Sequence, residues 1–296
     1  MPAPVFQLVD AAKLHESDPP RGLRRTDLAD DGRRTIALLG ANGSGKSTLL
    51  GLLAGVHRPT AGEALVRGRP AGIDPEARRA VGVAFQTPAL DPLLTVRENL
   101  NLFAALHAMP RSDNRPAAAI ERFGLAVHAD RRVGRLSGGL ARRADLARAV
   151  LHEPALLLLD EPASALDPAA SDALFKLLGE LAHREGGPVV VFSTHELSQA
   201  ERADRAVILR DGRVVVDGAP DELAASLGTR VLRTNQLPRD LDLSGAALST
   251  DAAGGVLLAG DDPHALGAIA DELNARGLGF ALAPPTLRDV YERAMA

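Results

Sequence analysis

The chain has 296 residues, enough for one large domain and a smaller one. Hydrophobic residues make up 46% of it but aromatics only 3%, so leucine, valine and alanine must fill the core. A formal net charge of -4 argues against a nucleic-acid binder working through a strongly basic face, and the lack of cysteine rules out disulfides, thiolate metal sites and a cysteine nucleophile.

The opening MPAPVFQLVDAAKLHE has no basic segment leading into a long apolar stretch, so no secretory signal is expected. No apolar run approaches the ~18 to 20 residues that span a bilayer, and the chain is expected to be soluble or held at a membrane by a partner. Further on, TIALL (35–39) predicts a buried strand and residues 47–54 a helix. VGVAF (81–85) is the next strand. Between about 87 and 150 the pattern turns helical, with RENLNLFAALHAM and ARRADLARAVLHE carrying apolar residues at helical spacing. ALLLL, PVVVF and RAVIL follow as strands, and RDGRVVVDGAP (210–220) reads as a hairpin turning on Asp211-Gly212. Strands apolar throughout are buried on both faces, which predicts an α/β fold with a mainly parallel sheet and a helical insertion. Residues 1–227 are expected to form this main domain and 228–296 a small α/β appendage. In the appendage VLLAG and FALAP are strands. One helix is expected to open on Asp262 and Pro263 and close at Gly277, and the last to open on a capping box between Thr286 and Asp289.

The chemistry concentrates in three stretches. Directly behind TIALL comes GANGSGKST: Gly40, Ala41, Asn42, Gly43, Ser44, Gly45, Lys46, Ser47 and Thr48. Glycines let the backbone N–H groups close around phosphate oxygens, and the helix that follows adds its positive end. Lys46 is expected to reach the outer phosphates and Ser47 to offer its hydroxyl to magnesium. LLLLDEP (156–162) is a buried strand that releases two carboxylates at its tip. Asp160 suits magnesium, through water, and Glu161 is placed to take a proton from an attacking water. LSGGLARR puts Ser137, Gly138 and Gly139 directly before a helix, a second anion-binding helix start.

These three motifs together resemble the ATP-binding cassette (ABC) family of P-loop NTPases, over residues 5 to about 222. The resemblance implies ATP as substrate, Mg²⁺ as cofactor and further roles. Gln86 is similar to the Q-loop glutamine, which contacts magnesium and senses a membrane partner. Asp167 in SALD resembles the D-loop aspartate at a dimer seam. His195 in FSTHE resembles the switch histidine that contacts the γ-phosphate. The family implies that Ser137 and Gly139 of one copy complete the phosphate cage of another, so a homodimer or a second ABC subunit is expected. Two departures stand out. Leu140 replaces the commonest glutamine, as in exporter-type members, and His15 in KLHE occupies the place of the usual adenine-stacking tyrosine. The ending APPTLRDVYERAMA resembles that of drug-exporter (ABC-2) ATPase subunits, with Arg288 departing from the usual acid. What this implies is an ATP-hydrolysing export subunit, cytoplasmic and peripheral on the inner face of the membrane, docked on a separate permease through the insertion between Gln86 and Ser137. The alternatives are a soluble, non-transporting ABC ATPase and a non-hydrolysing regulatory cassette.

Overall fold

Runs of leucine and valine with no polar position have no face to offer water, and they gather at the centre of the molecule. The computed structural model describes every residue except 1–3, 17–20, 111, 165, 239, 251–254 and 261–262. In chain order the elements are β1 (Phe6–His15), β2 (Arg21–Ala29), β3 (Thr35–Leu39), α1 (Lys46–Leu53), β4 (Ala61–Val66), β5 (Arg69–Pro70), α2 (Pro75–Arg79), β6 (Val81–Ala84), α3 (Val96–Leu106), α4 (Arg115–Arg122), α5 (Gly138–Ala149), β7 (Leu156–Leu159), α6 (Pro168–His183), β8 (Val189–Thr194), α7 (Leu197–Ala200), β9 (Arg205–Arg210), β10 (Arg213–Gly218) and α8 (Pro220–Ala225). They are followed by β11 (Arg230–Thr234), β12 (Ala247–Thr250), β13 (Val256–Gly260), α9 (Pro263–Ala275), β14 (Phe280–Ala283) and α10 (Leu287–Met295).

The central sheet has the order β10-β9-β3-β8-β7-β6. Its neighbours pair in parallel except for the β9–β10 hairpin, which turns on Asp211-Gly212. Side chains of a strand alternate between faces, and here both faces are apolar. Ile36, Leu38, Leu156, Leu158, Val189 and Val191 enter the layer shared with α1 and the first sheet. Ala37, Leu39, Leu157, Leu159, Val190 and Phe192 enter the layer shared with α3, α5 and α6. Burying one such leucine is worth roughly 1.5–3 kcal/mol.

The first sheet, β2-β1-β4-β5, is antiparallel and lies outside the sequence expectations. The reason is a bulge: the β1 register shifts between Leu8 and Ala11, with Asp10 at φ 47°, which breaks the alternation a pattern reading depends on. The stretch from 87 to 150 carries α3, α4 and α5. Its α3 is opened by a capping box in which Thr95 and Glu98 satisfy each other's backbone N–H groups.

Residues 230–295 carry a third sheet, β12-β13-β11-β14, all antiparallel. One face is covered by α9 through Leu266, Ile269 and Leu273. On the other, Val231 and Leu257 join Leu287 and Val290 of α10 in the large apolar layer of the central sheet. Gly277 follows α9 at φ 68°, and the Thr286–Asp289 capping box opens α10. The expected Asp262 cap lies outside the described residues. Near the far end of α10, the Ala294 carbonyl accepts from Arg210 Nη1 at 2.9 Å.

Candidate functional site

Parallel strands present their carboxyl ends together, and the residues that follow β3, β7 and β8 meet there. The strand order sets β8 between the other two. Leu39 pairs with Thr194 and Leu159 with Phe192, so Gly40 leaves the sheet abreast of His195, and Asp160 abreast of Ser193 two residues earlier.

The phosphate loop is held from both sides. The Gly212 N–H donates to Ser44 O at 3.0 Å, and the Arg24 N–H donates to Gly212 O at 2.7 Å. Gly45 sits at φ 107°, and a Cβ there would lie 2.9 Å from Gly22 O. The helix begins at Lys46, one residue earlier than expected. Lys46 is buried, and its Nζ donates to Gly40 O at 2.7 Å and Ala41 O at 3.0 Å, curling across the loop. Burial pulls its pKa down, and the nearby Glu161 and Asp160 carboxylates oppose that shift. Ser44 Oγ is buried with no hydrogen-bond partner. A hydroxyl orphaned among the described residues, inside a glycine-rich loop, suits an oxyanion ligand.

Around the carboxylates runs one connected chain of contacts. Ser47 Oγ donates to Asp160 Oδ1 at 3.2 Å, and Ser193 Oγ donates to the same oxygen at 2.5 Å. The Glu161 N–H donates to Ser193 Oγ at 2.9 Å. His195 Nδ1 is 3.4 Å from Glu161 Oε1. Glu161 takes a left-handed φ of 45°. The arrangement can hold a phosphate chain, offer hard oxygen ligands to a cation and deprotonate a water beside the phosphate.

Other predicted residues lie elsewhere. Ser137 caps α5, accepting from the Leu140 N–H at 3.4 Å, and is exposed. Gly138 and Gly139 form the first turn of that helix rather than preceding it. Asp167 caps α6 by accepting from the Ala170 N–H at 2.9 Å. Among the described residues, no hydrogen bond joins Ser137 or Asp167 to the phosphate loop of the same chain. Gln86 is exposed just beyond β6. His15 ends β1, with Nε2 3.2 Å from Thr48 Oγ1 and its ring edge-on to His57 at 5.2 Å. It therefore touches the phosphate-loop helix, and a cleft of about 640 Å³ opens alongside, lined by Leu14, Arg24, Asn42, Gly43, Arg210 and Met295 among others.

Two functional candidates escaped the sequence reading. Ser193 is one. The other is Arg142, buried in α5, whose guanidinium donates to Asp160 O at 2.9 Å, to Pro162 O at 3.2 Å and to Phe85 O. It joins the helix begun by Ser137 to the backbone on either side of Glu161 and to the residue before Gln86. The available signal for Ser193 was a polar residue at the end of an otherwise apolar strand.

A family model described as "ABC transporter" matches residues 26–164. The Nod factor export ATP-binding protein I of Burkholderia orbicola is 38% identical over 266 residues, spanning 86% of each chain. The chain belongs to the ATP-binding cassette family. A second relative of this cassette is the daunorubicin/doxorubicin resistance ATP-binding protein DrrA of Streptomyces peucetius, 35% identical over 256 residues, or 85% of this chain and 77% of that one. Among solved structures, cbiO1 of Clostridium perfringens, part of the ABC transporter complex cbiONQ, matches with a TM-score of 0.66 and 27% identity over 75% of this chain and 91% of its own. A dimeric cassette in a post-hydrolysis state, bound to ADP and Pi, matches with a TM-score of 0.65 and 28% identity over 72% and 98%. This cassette is accordingly an ATP-binding protein and an ATP hydrolase. No helix among the described residues is long and apolar enough to cross a membrane.

Proposed function

We propose that this cassette is the ATP-hydrolysing subunit of an exporter, that two such subunits close around ATP, and that a separate membrane permease receives the work. The observation that carries the pairing is the division of the site. The phosphate loop, Asp160, Glu161 and His195 adjoin one another, while Ser137, exposed, and Gly139, half-buried, stand at the start of α5 and, among the described residues, make no hydrogen bond to that loop. A second copy can supply the missing signature face, with Asp167 at the seam, and the dimeric form of the solved cassette supports this. The names of the relatives, Nod factor export and drug resistance, support the export direction.

In this reading Lys46 and the loop amides from residues 40–48 hold the phosphates, and His15 borders the base. The Ser47 hydroxyl and the Asp160 carboxylate, 3.2 Å apart, form a set of hard oxygen donors that fits magnesium, with Gln86 as a further ligand. Bound there, magnesium supplies neutralising charge at the phosphate oxygens. Glu161 orients the attacking water and takes its proton. His195, bridged to Glu161, steadies the transferring phosphoryl group. A positioned general base is worth about 10²- to 10⁴-fold.

For docking, the helical insertion offers Leu93, Leu102 and Leu106 as exposed apolar side chains, the last two one turn apart on α3. That surface would hold the cassette on the cytoplasmic side of the membrane.

Glu161→Gln tests the core of the proposal. It should bind ATP, hydrolyse it at least 10²-fold more slowly and run as a dimer with ATP on light-scattering chromatography, against a monomer with ADP. A variant with normal turnover, or one that stays monomeric under saturating ATP, would overturn it.

A further inference from the structure

Ser193 lies within FSTHE but was given no role beside His195, yet its hydroxyl lies at the centre of the site. The side chain is wholly buried. Its oxygen donates to Asp160 Oδ1 at 2.5 Å and accepts from the Glu161 backbone N–H at 2.9 Å. The sheet dictates this meeting. Because Leu159 pairs with Phe192, the next residue on each strand, Asp160 and Ser193, must also lie abreast.

Both of its partners need holding. Glu161 has a left-handed φ of 45°, which a residue with a Cβ adopts only when its surroundings over-determine it. The Ser193 oxygen takes up the N–H that this conformation presents. Among the described residues the other hydroxyl on Asp160 Oδ1 is that of Ser47 at 3.2 Å, so without Ser193 the carboxylate would turn about that tether. Ser193 also stands on β8 two residues before His195, which directly follows that strand, so the spacing between the histidine and Glu161 is tied to the same point.

We propose that Ser193 is a positioning residue for ATP hydrolysis, its hydroxyl locking the Asp160 carboxylate and the Glu161 backbone into one unit so that the cation ligand and the base keep a fixed relation. This rests on the reading of Glu161 as base and Asp160 as cation ligand. It differs from a packing role in one respect: a packing role needs only the small volume of the side chain, whereas positioning needs its oxygen.

The test uses the full chain with Ser193→Ala and Ser193→Thr. Three quantities are measured: ATPase kcat and KM, Mn²⁺ affinity by electron paramagnetic resonance with ADP and no turnover, and the affinity of a fluorescent ATP analogue in EDTA. Losses at residues that orient a ligand or catalytic group run about 10- to 100-fold. The alanine variant should therefore lose kcat and Mn²⁺ affinity by roughly 10-fold or more, with KM and EDTA binding of the analogue close to wild type. The threonine variant, which restores the hydroxyl, should recover most of both losses. Wild-type kcat and Mn²⁺ affinity in the alanine variant would overturn the assignment. So would a threonine variant that melts normally but is as impaired as alanine. If the wild-type chain proves unable to hydrolyse ATP, it is the base reading that fails, and the Mn²⁺ comparison alone decides the role of Ser193 toward Asp160.

Discussion

Arg142→Met replaces a buried guanidinium by an apolar side chain of similar length. Three backbone carbonyls, those of Phe85, Asp160 and Pro162, lose their donor. A buried acceptor left unsatisfied costs ~1–3 kcal/mol. Some of that is returned, because burial strains the charged group itself: desolvation holds the Arg142 pKa below its ordinary value, with Asp145 and Asp160 opposing. Asp145 loses an arginine at 3.8 Å but keeps Arg148 at 2.8 Å, so it is not stranded. Removing one member of a buried charged network costs ~3–5 kcal/mol. At roughly 2–4 °C per kcal/mol for chains of 150–250 residues, the melting temperature should fall by about 6–20 °C. Calorimetry on the two purified proteins gives the number. Arg142→Lys should recover only part of it, because one ammonium cannot span three carbonyls set around a planar fork. A methionine variant that melts within about 2 °C of wild type, where the error on one lost hydrogen bond lies, would refute the reasoning.

The remaining predictions concern the docking surface and pH. Leu102→Asp with Leu106→Asp should leave the melting temperature and nucleotide binding unchanged, since both side chains face solvent, while co-purification with the membrane permease is lost; retention of the permease sinks the assignment of that face. His152 is pushed down to about 4, first by burial and then by His107 stacked at 4.3 Å and by Arg148 and Arg115. Its Nε2 contacts Val81 O at 3.1 Å, which opposes the shift, but burial and the neighbouring charges prevail and the folded ring is neutral at pH 7. A folded pKa below the unfolded value of about 6.5 means that the unfolded chain takes the proton first. Stability from this group is full above pH 6.5 and drains away as pH falls toward 4. In chemical denaturation from pH 7 to 4, His152→Gln should lose less stability than wild type; parallel curves would contradict the burial argument.

Much of the site was legible because its chemistry sits at strand ends. An apolar run followed by Gly40 to Lys46, or by Asp160 and Glu161, needs only the rule that parallel strands deliver their residues to one edge. The helix start at Ser137 was readable too, because its side chain accepts a backbone N–H group. What stayed hidden has physical causes. β2 reads RGLRRTDLA, a charged string whose Leu23 and Leu28 turn inward only because β1 pairs with it. Ser193 and Arg142 act through contacts 32 and 57 residues away, with Glu161 and Phe85, and such pairings arise from sheet register and helix packing, not from local pattern. His15 shows the opposite limit. Its position was readable, but its hydrogen bond to Thr48 depends on where β1 ends against α1.

The double-sided central strands carry a consequence for how such a chain can change over generations. Exchanging one aliphatic side chain for another leaves both oily layers supplied. Deleting a single residue from TIALL would instead send Ile36 and its neighbours to the wrong side and drag the phosphate loop out of line with Asp160. A one-residue insertion should therefore be borne better in the connections between β6 and β7 or after β10 than in the strands, which act as fixed rulers.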